Sequence, residues 1–421
     1  DQFDAYRGRE YSALGSALSQ AGVLKYLSSP SQIIVNGMQT FLTAAPRMAA
    51  RFGMQQTAAT LTKAMRQFTA SRGNMAGPDS TLTGPIKAVM DDVHSYGMDD
   101  ATLIREMTQT ADGQPPTGKW GVAVKTLTWA LHKSEVFNRQ VAAYAYAYML
   151  LDTDAKNGGT LSQRIAAGDK QAIEEVSHEV RRFNNQEAHY DVTAANAAKI
   201  SRTPLGRLMT QFQSYRINTL AVMARDIRDS GLLAKFGVEG NAENKEYARK
   251  ALAYSLGTQA LATGAAGTLL ASVAFAIMDA FGDDDDLTDS RTKFVNHVPS
   301  ILANGVLGQV VDTSRFDTAG LLPYFGDRKN APKNVTGQEL AQWYAGRYIG
   351  PWFGLVGDAG RAMRSASEGK PLDTLLALSP SMLSDPIKAY RDVGGKRNAA
   401  GLVTFVPSAA DTVSTALGVR T

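Results

Sequence analysis

The 421-residue chain has no cysteine, which excludes disulfide frameworks, thiolate nucleophiles, zinc ribbons and iron–sulfur clusters together. A hydrophobic fraction of 44% excludes a disordered tail, and the length predicts two or three structural units. With 44 Lys and Arg against 40 Asp and Glu, the net charge of +4 is too small an excess to argue for nucleic-acid binding by itself.

The chain opens at Asp1, not at Met, which suggests a processed protein or part of a longer one, and no charged n-region followed by an apolar h-region marks a signal peptide. Phe3, Tyr6, Tyr11, Leu14, Leu18, Val23 and Leu27 recur at helical spacing until Ser28, Ser29 and Pro30 stop the pattern. Ser29 and Pro30 then suit the cap and first position of a helix over 32–45, with Ile33, Ile34, Met38, Phe41 and Leu42 as its apolar stripe. Pro46 should kink or end it, and a further helix follows over 49–68. The run 71–84, SRGNMAGPDSTLTG, is a loop by composition and the first candidate boundary.

Asp99 or Asp100 caps a short helix to about Thr110, and residues 111–118 form a second loop. A long helix over 120–151 follows, its buried side marked by Trp120, Val124, Leu127, Leu131, Phe137, Val141, Tyr144, Tyr148 and Leu151. Residues 161–184 read as two short helices around Gly168. The clearest amphipathic pattern spans 204–230, from a Thr203-Pro204 start to a Gly231 stop, with Leu205, Leu208, Met209, Phe212, Tyr215, Leu220, Met223 and Ile227 inside. Arg207, Arg216, Arg225 and Arg228 lie elsewhere on its surface, and Asp226 and Asp229 on its polar face favour packing against protein over lying on a membrane.

Residues 251–278 then read ALAYSLGTQALATGAAGTLLASVAFAIM without a charge, behind Lys245, Arg249 and Lys250 and ahead of Asp279 and Asp283 to Asp286. The stretch is long enough to cross a bilayer as one helix, but its many Ala, Gly, Ser and Thr residues make insertion marginal, so a span and a buried helix in an oligomer both stand. Ala260, Gly264 and Thr268 place small residues every four positions, which allows close helix approach. Leu256, Val273 and Phe281 complete the candidate packing face. Beyond Pro299 the sequence is Gly- and Pro-punctuated and loop-rich. Trp343, Tyr348 and Trp352 there are either interfacial aromatics at headgroup level or a buried cluster.

Catalytic and metal motifs are not apparent. His178-Glu179 begins like a zinc-peptidase helix, but Arg182 stands where the second His must sit, and His189 is off that turn. His94 beside Asp91 and Asp92 reads as a solvated helix end. The run Asp283 to Asp286 lacks the glycine and distal glutamate of a calcium loop and reads as a solvated stop. No phosphate loop or nucleophile elbow occurs in a supporting context, so the chain is expected not to be an enzyme and to need no cofactor and no metal.

Several segments, read together, resemble one family. SPSQIIVNGMQTFLTAAPRMAARFG at 29–53, EVFNRQVAAYAYAYML at 135–150 and NNQEAHYDVTAANAAKISRTPLGRLMTQFQSYRINTL at 184–220 are similar to the C-terminal region of the large internal virion proteins of tailed bacteriophages. The apolar helix ending in Phe281-Gly282-Asp283 and the Val311-Asp312-Thr313-Ser314-Arg315 turn resemble the same region, so the likeness spans about residues 29–320. In that family the region follows a transglycosylase or a virion RNA polymerase, neither of which is visible in this chain.

The resemblance implies a protein carried inside the capsid, ejected with the genome and helping to form a DNA-translocation conduit across the host envelope. Its partners would be copies of itself in a ring or tube, other internal virion proteins and the portal, phage DNA without sequence preference, and the host membrane. The alternative is a docking domain that holds an upstream virion enzyme near the portal. The expected fold is mostly α: a bundle-like assembly of helices with an irregular C-terminal region. Its units are N-terminal helices over 1–75, a central helical region over 76–250, an apolar helix with an acidic stop over 251–286, and a loop-rich region over 287–421.

Overall fold

A computed structural model describes residues 36–97, 116–189, 214–268, 290–306 and 351–379, together with isolated positions and one short strand pair. The fold is mostly α. In chain order the helices are α1 (Ala45–Phe52), α2 (Met54–Ala70), α3 (Gly84–Ser95), α4 (Gly118–Lys156), α5 (Leu161–Ala166), α6 (Lys170–Phe183) and α7 (Ser214–Asp229). They continue with α8 (Lys245–Thr263), α9 (Ser290–His297), α10 (Ser300–Asn304), α11 (Pro351–Ser367) and α12 (Pro371–Leu378). Two π-turns, Thr40–Ala44 and Asn184–Ala188, adjoin α1 and α6. The strands β1 (Lys396–Arg397) and β2 (Val403–Phe405) pair antiparallel, with Lys396 opposite Phe405.

The 39-residue helix α4 is the axis of the core. Its second half is buried on nearly every side from Glu135 to Met149, so burial there extends well beyond the predicted stripe, whereas Trp120, predicted inside, is exposed at the start of the helix. Ala142, Ala143, Ala145 and Ala147 are fully buried and let neighbouring helices come close around the tyrosines between them. Tyr146 stacks on Phe183 of α6 with centroids 4.1 Å apart and meets Phe52 of α1 edge-on at 5.5 Å. Phe137 takes Phe68 of α2 edge-on at 5.2 Å. Each such pair contributes about 0.5–1.5 kcal/mol beyond the area that it buries.

The helix pair around Gly168 forms as the sequence predicts, because the Asp169 carboxylate accepts the Gln171 and Ala172 amides at the start of α6. The predicted loop over 71–84 is non-helical up to Thr83, where α3 begins with Gly84, yet it is no boundary between cores. Met75 and Ala76 are fully buried, the Met75 amide donates to Gln140 Oε1 of α4 at 2.9 Å, and one core takes in Met48 and Leu61 before the loop and Val89 and Val141 after it. The predicted helix over 49–68 is divided at Gly53, whose φ of 92° separates α1 from α2. Pro46 does not end its segment, although the helical ladder widens into a π-turn just ahead of it. It sits in the first turn of α1, where its missing N–H costs nothing, and the π-turn ahead of it bonds the Ala45 amide to the Thr40 carbonyl. The short helix predicted after Asp99 lies outside the described residues.

The 251–278 stretch is not one continuous helix. α8 ends at Thr263, and Gly264 turns the chain with φ 74° into a short 3₁₀ segment, Ala265–Gly267. The cause is tertiary: the backbone of Ala303 and Asn304 lies directly against Gly264, leaving no room for a Cβ, and the Val306 amide donates to the Leu261 carbonyl at 2.9 Å. The spacing of Ala260, Gly264 and Thr268 therefore does not form a single helical face. Gly264 meets its own chain, and the Thr268 hydroxyl donates to the Ala265 carbonyl and accepts the Ala271 amide. Among the described residues no helix is long and apolar enough to cross a membrane.

Candidate functional site

The polar groups that the core encloses converge where the two π-turns meet. Widened helical turns of this kind occur often at functional positions, because they displace side chains and free carbonyls from the regular ladder. The Thr43 hydroxyl in the first turn donates to the Ala188 carbonyl at the end of the second, at 2.6 Å. Thr40 Oγ1 donates to Asn138 Oδ1 at 2.9 Å, and Asn184 Nδ2 to the Arg139 carbonyl at 3.2 Å. Asn138, Arg139 and Gln140, three successive polar residues in the buried half of α4, thus each meet a separate segment of the chain.

Ionised groups extend this cluster. Arg47 of α1 meets Asp226 of α7 at 2.7 Å, with side chains only 3% and 4% exposed. Burial raises the Asp226 carboxyl above its ordinary value even though the Arg47 cation opposes that shift. Arg139 and Glu135 pair at 3.3 Å within α4, both buried. On the other side, Glu187 accepts the Tyr247 hydroxyl of α8 at 2.5 Å and faces Arg182 at 3.4 Å. Arg182 also holds Glu179 at 2.8 Å, and hydrogen bonding from Arg182 keeps the Glu179 carboxyl below the usual range. Arg51 closes the chain of contacts by donating to the Tyr146 hydroxyl. Burial raises the phenols of Tyr146 and Tyr247, so both remain neutral donors and acceptors at physiological pH.

His189 follows the second π-turn and is buried; its ring nitrogens make no well-formed hydrogen bond, and only the Asn138 backbone acts on the ring in that way. Burial first, and the nearby Arg139 cation second, push its pKa down to about 3, so the ring is neutral. The arrangement ties α1, α4, α6, α7 and α8 together through charges that only their mutual registration can satisfy. Removing one partner of such a set leaves a buried charge uncompensated.

The residues singled out in the sequence fall in different places. Arg225 and Arg228 lie on α7 and engage acids of their own helix, Arg225 with Asp226 at 3.9 Å and Arg228 with Asp229 at 2.9 Å. Arg216 belongs to α7, though its side chain lies outside the described residues, as does all of Arg207. Leu256 and Ala260 are half-buried on α8, Gly264 is buried at the turn, and Val273 and Phe281 lie outside the described residues. Trp352 falls in α11 with its side chain undescribed, while Trp343 and Tyr348 lie outside. The 283–286 acidic run is also outside. His178 is exposed, and among the described residues no group of three or more His, Asp or Glu could hold a metal ion. Asp91 and Asp92 are more engaged than a solvated helix end would require. Asp91 binds Lys87 and the Gly77 amide, and Asp92 binds Ser177 and Arg181.

Sequence reasoning missed the cluster, although one signal existed. Asn138-Arg139-Gln140 falls between Val136-Phe137 and the uncharged, Ala- and Tyr-rich run that begins at Val141. Polar residues at core positions are retained only where partners exist. Comparison with protein-family models, with curated proteins and with solved structures finds no match for this chain.

Proposed function

We propose that the chain is a non-enzymatic internal virion protein of a tailed bacteriophage, ejected with the genome and assembling with copies of itself into part of a conduit across the host envelope. The resemblance of residues 29–53, 135–150 and 184–220 supplies the class. The structural observation that supports the reading is the apolar surface left open beside the Gly264 turn: Leu261 of α8, Leu302 of α10 and Val306, whose amide donates to the Leu261 carbonyl, are 69%, 61% and 56% exposed. A chain that assembles has a use for such side chains, whereas an isolated globule leaves them in water. Cysteine-free helices held in register by buried ion pairs also suit a protein that must open for passage and re-form without redox chemistry.

In this reading the capsid interior and then the host envelope are its locations. Other internal virion proteins, the portal and DNA are its neighbours, and Arg207, Arg216, Arg225 and Arg228 are its candidate polar contacts with DNA or neighbouring subunits. Mass measurement of the purified full chain, with flotation on vesicles, tests it. A discrete oligomer that also floats is expected. A monomer that binds no vesicle would overturn it.

A further inference from the structure

The first half of α4, ahead of the buried core, presents a second surface. Val124, Thr128 and Leu131 are buried on one side of it. On the opposite side Lys119, Val122, Lys125, Thr126, Trp129 and Lys133 are all exposed, at steps of three and four that place them on a single face roughly 20 Å long. Val122 and Trp129 are 67% and 59% exposed. Between Gly118 and Ser134 there is no Asp or Glu, and among the described residues none of the three lysines is held in an ion pair. The first acid, Glu135, is buried and paired with Arg139.

From this face we infer that α4 docks on an anionic lipid surface, with Val122 and Trp129 entering the headgroup layer and Lys119, Lys125 and Lys133 meeting lipid phosphates and carboxylates. The charge pattern calls for an anionic partner. The apolar pair selects between a membrane and a nucleic acid, since a phosphodiester backbone offers Val122 nothing, whereas the interface takes both an aliphatic side chain and an indole. Each lysine lays a long apolar stem along the surface and ends in a point cation. Contact through this face is peripheral and salt-sensitive, and it needs no spanning helix. The inference deepens the ejection reading, on which it rests for the identity of the membrane.

Flotation of the full chain on phosphatidylserine-rich and on pure phosphatidylcholine vesicles, at low and high salt, tests it. Wild type should partition onto the anionic vesicles and lose that binding as salt rises. Each lysine near such a surface is worth about five-fold in partition, so K125Q/K133Q should weaken it roughly 25-fold. V122S/W129S should weaken binding to the same vesicles without altering its salt dependence. All four positions are exposed, so an unchanged urea midpoint and helical circular dichroism will show that the variants fold. Failure of wild type to float, or flotation of both variants equal to wild type, would overturn the inference. So would variants that lose affinity for a labelled DNA oligonucleotide while keeping the vesicles. The oligomer mass of the same variants separates the two claims: an intact oligomer with unaltered flotation removes this face and leaves the ejection reading standing.

Discussion

Replacing Arg47 by Met should cost about 3–5 kcal/mol of folding stability, whereas replacing Arg47 and Asp226 together by Met and Leu should cost close to nothing. The difference comes from where the pair sits. At 2.7 Å, with both side chains no more than 4% exposed, neither ion keeps its water. Their attraction at an effective dielectric near 20 is about 6 kcal/mol, while desolvation costs several kcal/mol for each ion. The raised pKa of Asp226 indicates which is larger at the carboxylate: burial outweighs the adjacent guanidinium. A single substitution therefore strands a charge, and the double substitution removes both. Urea unfolding of wild type, R47M, D226L and R47M/D226L measures the cycle through the midpoint and slope of each transition. Single losses that add up to the double loss would refute the account of α1 and α7 being coupled through this pair.

The remaining predictions concern the rest of the core. Gly264→Ala should destabilise by more than the roughly 1–3 kcal/mol of local strain, since both a φ of 74° and the Ala303 backbone oppose a Cβ; a change within about 0.5 kcal/mol in urea unfolding would contradict the turn. Tyr146→Phe keeps the stack on Phe183 and removes the acceptor of Arg51, so thermal unfolding should report a loss of about 0.5–1.5 kcal/mol, against roughly 3–5 for Tyr146→Ala. His189 binds its proton near the ordinary 6.5 when unfolded but only at about 3 when folded. The unfolded state thus holds the extra proton between those values, and stability should fall as pH drops below 6.5, by about 1.4 kcal/mol per unit from this group. Asp226 acts in the opposite sense, its raised value favouring the folded state as pH falls, so the comparison is wild type against His189→Leu. Equal pH slopes for the two proteins would count against a buried neutral imidazole.

Local signals made much of the helical framework legible. Asp169 and Gly168 mark the start of α6, Gly231 marks the end of α7, and the composition of 71–84 marks a loop, because each acts through its own backbone within a few residues. The turn at Gly264 was not legible, since it depends on Ala303 and Asn304 packing against it from about forty residues away. α7 was legible only in part. Met223 is buried as its apolar spacing predicts, but Asp226 and Asp229, read as the polar face, are also buried. Asp226 turns inward because Arg47, 179 positions earlier, meets it there. The polar cluster as a whole is built from such distant pairs, including Tyr247 with Glu187 and Thr40 with Asn138, and no periodicity within a single helix encodes them. In the first half of α4 the apolar spacing marked the buried side correctly at Val124 and Leu131, but Trp120, read onto that side, is 51% exposed, and the exposed Val122 and Trp129 opposite it carry no local signal of their own.

The most direct test of the proposed function is the mass of the full chain, measured in solution and again on phosphatidylserine-rich vesicles. The ejection reading predicts a discrete closed oligomer of one stoichiometry, retained or enlarged on the vesicles. A monomer under both conditions would contradict it.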